Sequence, residues 1–90
     1  MRRVHIFIRG IVQGVFFCAH IQKRAVELDL TGFVQNIDDG SVEAIFEGDE
    51  EDIEEMLEFC NEGPRGAQVD DVELFEEEYE DEFENFEVRH

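Results

Sequence analysis

The stretch Gly10-Ile11-Val12-Gln13-Gly14-Val15-Phe16-Phe17-Cys18 is where this chain's residue types and spacing can do chemistry. It reads as a strand end, a glycine-punctuated loop and a helix start. Such a turn aims backbone N–H groups at one point and makes an anion site. A cradle for a doubly charged phosphate is normally completed by a cation, and here a thiol, Cys18, takes that place. Further on, Asn36 reads by local sequence alone as a turn residue ahead of Asp38-Asp39-Gly40.

These residues need elements to position them. Val4, Ile6 and Ile8 alternate with His5, Phe7 and Arg9, which predicts a strand over 4–9. Apolar residues at Phe17, Ile21, Ala25 and Leu28 predict a helix, ended by Thr31-Gly32. Residues 33–37 form a β-rich run, Asp38-Asp39-Gly40 a hairpin turn, and Val42, Ala44 and Phe46 the returning strand. Ile45 breaks that alternation, as a partly covered second face would. A second helix is expected from Asp49 as N-cap, with Ile53, Met56, Leu57 and Cys60 as its apolar stripe and a stop at Gly63-Pro64. Strands over 68–75 and 86–88 complete the chain.

The order strand–helix–strand–strand–helix–strand, with a terminal strand, predicts an α+β fold. It is the ferredoxin-like split β-α-β, an antiparallel sheet of four to five strands with two helices on one face. Both helices are expected to follow central parallel strands and to run the same way, which puts Cys18 and Cys60 too far apart for a disulfide. Cys60 then reads as a small core hydrophobe. Most of the phenylalanines, at 16, 17, 33, 46, 59, 75, 83 and 86, read as core rather than as a stacking platform.

Ninety residues make one expected domain, 1–90. Asp and Glu total 25 against 7 Lys and Arg, a formal net charge of −18. That field has the wrong sign for nucleic acid and for anionic membrane surfaces. No apolar run is long enough to span a bilayer, and Met1-Arg2-Arg3 leads straight into a strand, so a cytoplasmic location is expected. Self-repulsion at this charge is relieved by salt, which favours a halophilic origin over an ordinary acidic face or engineered charging. The 42% apolar content is enough for a core, and Glu76–Glu82 is the expected mobile loop between two strands. Two cysteines and scattered histidines give a metal site little support, and none is expected.

The loop Val12-Gln13-Gly14-Val15-Phe16-Phe17, followed by Gly32-Phe33-Val34-Gln35-Asn36 and Asp39-Gly40-Ser41-Val42-Glu43, resembles the acylphosphatase family. Glu47-Gly48-Asp49, Gly63-Pro64, Val69-Asp70-Asp71-Val72-Glu73 and Phe86-Glu87-Val88 extend the match over nearly the whole chain. The resemblance implies hydrolysis of a carboxyl-phosphate anhydride to carboxylate and phosphate, without cofactor or metal. The partner implied is a small acyl phosphate or an inorganic anion, and a monomer is expected. It assigns phosphate binding to backbone amides of Gln13, Gly14, Val15, Phe16 and Phe17, and water positioning to Asn36. The catalytic arginine of the family falls on Cys18, and another arginine often found in the loop is replaced by Ile11.

Three readings of Cys18 follow. It weakens the site; or Arg9, Lys23 or Arg24 supplies the missing cation; or the thiol at a helix N-terminus acts as a thiolate nucleophile. Three functions remain open with them: an impaired acylphosphatase, a non-catalytic anion-binding domain, and an acidic scaffold with a vestigial loop.

Overall fold

Alternating side chains leave opposite faces of a strand, so Val4, Ile6 and Ile8 enter the core while His5, Phe7 and Arg9 face away from it. The computed structural model describes residues 1–14 and 16–89; Val15 and His90 lie outside the described residues. Its elements are β1 (Arg2–Ile11), α1 (Phe17–Glu27), β2 (Thr31–Asn36), β3 (Val42–Gly48), α2 (Glu50–Glu62), β4 (Gln68–Glu77) and β5 (Phe86–Arg89). Helices of 11 and 13 residues are marginal alone in water. They are held by burying Phe17, Ile21 and Ala25 of α1 and Ile53, Met56, Leu57 and Cys60 of α2 against the sheet. Each large side chain so buried contributes about 1.5–3 kcal/mol.

The strand order is β4-β1-β3-β2-β5. The sheet is ferredoxin-like and mostly antiparallel, with one exception. β5 joins β2 in parallel at the far edge, so the five-stranded sheet is mixed. The expectation of parallel central strands fails. β1 and β3 are neighbours and run antiparallel, pairing Ile6 with Ala44. A split β-α-β unit leaves a gap between β1 and β2, and β3 fills it on its return from the hairpin. The helices that follow β1 and β3 therefore run in opposite senses. The Phe17 ring at the start of α1 meets Phe59 near the end of α2, centroids 6.5 Å apart. Cys18 and Cys60 thus share one end of the helical layer. Both are free, because Cys60 is sealed in the core while Cys18 lies at its margin.

Asp49 takes the N-cap place of α2 but makes no side-chain cap bond, and the helix instead begins on Glu50, Glu51 and Asp52, whose charges suit its N-terminus. Phe17, Phe33, Phe46 and Phe86 are buried, whereas Phe16 and Phe75 are exposed and lie outside the core. Phe46 and Phe86 stack at 5.3 Å.

The acidic run is only partly a loop. Glu76 and Glu77 end β4, and residues 78–85 then cross from one sheet edge to the other over the helix-free face. There the buried Arg3 gathers them. Its Nε donates to Glu77 Oε1 (2.9 Å) and its Nη1 to Glu47 Oε2 (3.1 Å), with Glu80 at 3.7 Å and Glu82 also in contact. The Glu80 amide donates to Glu47 Oε2 (3.0 Å), and Phe83 packs on Phe33. This crossing segment accounts for the irregular Ile45, which sits on the same face beside Phe33 and His5 and is buried.

Candidate active site

β1 carries the chain to the loop and bulges as it does so. Its register against β4 shifts between Arg9 and Gly10, where a Cβ would lie 2.0 Å from the Gln68 carbonyl oxygen. Only glycine fits that approach. Gly14 differs: nothing stands within 4 Å of a Cβ there, but its φ of +76° favours glycine. Phe16 also takes the left-handed region, at φ 58°, as the residue before α1. The conformation costs a non-glycine residue about 1–2 kcal/mol. It turns the chain so that the Phe16 side chain stands in solvent while the next ring, Phe17, enters the core.

Among the described residues, the first bond across this helix start runs from the His20 amide to the Phe16 carbonyl (3.0 Å). The amides of Phe17 and Cys18 stand in the first turn, ahead of that bond, where a helix leaves its N–H groups without intrahelical acceptors. Gln13 is half-buried, and its Nε2 donates to the carbonyls of Ile37 and Ser41, 2.9 Å each. Val15, the remaining loop residue assigned from sequence, lies outside the described residues.

Cys18 and Asn36, distant in sequence, come together. Cys18 stands in the first turn of α1 and Asn36 ends β2, where the thiol donates to Asn36 Oδ1 at 3.4 Å. Asn36 is exposed and its Nδ2 makes no side-chain bond among the described residues. It is thus a strand terminus facing the helix start, as well as the entry to the turn that local sequence indicated. Burial pushes the Cys18 thiol above its ordinary pKa, which favours the neutral form and works against a thiolate nucleophile.

Two of the three cations proposed as substitutes, Arg9 and Arg24, have other partners. Arg9 donates to Asp71 (3.4 Å) and Glu73 (3.1 Å) on β4. Arg24 lies over the Phe59 ring at 4.9 Å and beside Glu27. Lys23 lines a shallow surface depression with His20, Glu27 and Phe59. Among the described residues no arginine, lysine or histidine side chain bonds to Cys18 or Asn36, and no group of three His, Cys, Asp or Glu is arranged to hold a metal ion. Among the described residues no helix is long and apolar enough to cross a membrane.

Two features escaped sequence reasoning. One is the Gln13 side chain, assigned only through its backbone. The other is the ion cluster on Arg3, whose signal lay in register: Arg3 and Glu47 sit directly opposite across β1 and β3.

Residues 4–88 match the acylphosphatase family model. The chain is 49% identical over 89 residues to an acylphosphatase of Haloarcula marismortui, covering 97% of this chain and 94% of that one. It is 41% identical over 88 residues to an acylphosphatase of Syntrophus aciditrophicus, covering 98% and 92%. The crystal structure of acylphosphatase from Bacillus subtilis superposes with a TM-score of 0.95 at 31% identity, over 100% of both chains.

Proposed function

The chain belongs to the acylphosphatase family, and we propose that it hydrolyses small acyl phosphates at the loop before α1, at a rate limited by Cys18. Water would attack phosphorus, the phosphorus–oxygen bond to the acyl group would break, and the carboxylate would leave with the electron pair. Such a transfer asks for positioning and charge stabilisation more than covalent chemistry. The amides from Gln13 to Cys18 would hold the phosphoryl oxygens, and Asn36 would orient the water. The observation that carries this reading is the 3.4 Å approach of Cys18 to Asn36. It brings a water-orienting amide to the open end of a helix.

The test is hydrolysis of an aromatic acyl phosphate by the unaltered chain and by Asn36→Ala. The variant is expected to lose at least about 10²-fold in kcat, the effect of removing one preorganised polar group. Equal rates would sink the assignment of Asn36. A non-catalytic anion-binding domain would show no turnover yet would be stabilised by phosphate according to RT ln(1 + [L]/Kd).

A cytoplasmic monomer belongs to the same reading, and the two free cysteines support a reducing compartment. So does a salt-requiring fold. Glu50, Glu51, Glu54, Glu55, Glu58 and Glu62 crowd α2 without one basic residue among them, and the relative from Haloarcula is 49% identical. Screening lengths fall from about 10 Å at 0.1 M salt to about 3 Å at 1 M. The melting temperature is therefore expected to climb between about 0.1 M and about 1 M KCl. A flat profile would argue for an ordinary acidic surface.

A further inference from the structure

Resting on the acylphosphatase reading above, we propose that the Gln13 side chain is a positioning residue, fixing the phosphate loop against the hairpin that carries Asn36. Its Nε2 stands 2.9 Å from two carbonyl oxygens, those of Ile37 and Ser41. An amide nitrogen has two protons, and both are spent here. The reverse orientation would set an amide oxygen against two carbonyls, so the pair of acceptors fixes the side chain.

Both carbonyls already serve the hairpin. Ile37 oxygen accepts from the Gly40 amide and Ser41 oxygen from the Ile37 amide, 3.0 Å each. Gln13 takes the second lone pair of each. The hairpin is rigid on its own account, because Asp39 Oδ1 accepts from the Ser41 amide (2.9 Å) and hydroxyl (2.6 Å). Gln13 precedes Gly14 in the loop, and Ile37 follows Asn36. A half-buried amide thus ties the phosphate loop to the residue next to the water-orienting side chain. From the start of α1, the side-chain tie to this region among the described residues is the weak thiol bond of Cys18 to Asn36. In this chain the distance from loop to Asn36 depends on Gln13.

A misplacement of about 1 Å in a reacting geometry costs on the order of 10²-fold in rate. Gln13→Met keeps the length and removes both donors. It is made in the unaltered chain and in Cys18→Arg, and two quantities are read: kcat on an aromatic acyl phosphate, and the affinity for inorganic phosphate from its protection against melting. The expected result is a fall in kcat of about 10- to 100-fold with phosphate affinity held within about twofold. The loop amides persist, while their alignment with Asn36 does not. A merely structural role would lower both together. Equal losses in the two, or an unchanged kcat, overturn the inference. Should Gln13→Met fold poorly, Gln13→Asn, one methylene too short to span both carbonyls, is expected to show the same split. If neither parent hydrolyses the substrate, the acylphosphatase reading itself fails and the positioning role falls with it. A Gln13 effect absent from active parents defeats the positioning role alone.

Discussion

Cys18→Arg is expected to raise turnover of an aromatic acyl phosphate by about 10²–10³-fold, the usual worth of one preorganised charge donor. The transferring phosphoryl group spreads negative charge over its oxygens, and amides alone meet only part of it. On the proposed reading Cys18 takes the cation's place; it stands in the first turn of α1 beside Asn36, and burial favours its neutral thiol. It offers the phosphate no charge. Nor do the bonded positions of Arg9 and Arg24 suggest a substitute, since Arg9 faces Asp71 and Glu73 and Arg24 faces Phe59 and Glu27. Cys18 is only half-buried, so a longer side chain has a path to solvent. The comparison belongs in high salt, where the field of a chain of net charge −18 is screened from an anionic substrate. Comparable rates in the two proteins would mean that a cation such as Arg9 rearranges to hold the phosphate. A slower variant would reveal a thiol acting as nucleophile, against the direction of its pKa.

The features that sequence conveyed well are those encoded locally. Period-2 alternation at Val4, Ile6 and Ile8 and helical spacing at Ile53, Met56, Leu57 and Cys60 each reflect one buried face, and the structure buries those faces. Strand direction is not local. The period of β1 is the same whether β3 runs with it or against it, so the alternation carries no information on the sense of the helices that follow. Their opposition places Phe17 against Phe59 and sets the helix start that holds Cys18. The run from Glu76 to Glu82 reads as solvated because its residues are charged. What holds it is an arginine more than seventy positions earlier, reachable only through the pairing of Arg3 with Glu47 and Glu77. At the site, the proximity of Cys18 and Asn36 was legible only through the motif resemblance, since Asn36 alone looks like any residue before a turn. The bonds of the Gln13 side chain required the folded hairpin, because their acceptors are backbone carbonyls and carry no residue signature.

Arg3→Met is expected to destabilise the fold by about 3–5 kcal/mol, the cost of leaving one member of a buried ion pair behind. Glu47 is that member. Its side chain is 1% exposed, its Oε2 takes bonds from Arg3 and the Glu80 amide, and its Oε1 has no partner among the described residues. Without the guanidinium, one backbone amide would remain to hold a full negative charge out of water. Glu77, Glu80 and Glu82 are more exposed and can turn to solvent, so the loss concentrates on Glu47 and on the crossing segment that Arg3 gathers. For a domain of this size each kcal/mol moves the melting temperature by roughly 4–8 °C. The double variant Arg3→Met/Glu47→Met is expected to regain most of that stability, because it removes the stranded charge with its partner. Acid titration gives an independent sign. Hydrogen bonds from Arg3, and then from His5, hold the Glu77 carboxyl below its ordinary value of 4.5. Its contribution is therefore complete above the ordinary carboxylate range and is lost as pH falls through the lowered folded value. Arg3→Met should weaken that part of the acid dependence while leaving neutral pH as the point of greatest loss relative to the unaltered chain. A variant that melts within about 4 °C of the unaltered chain would instead mean that water reaches Glu47 freely, and that the cluster adds no more than a surface ion pair, under about 1 kcal/mol.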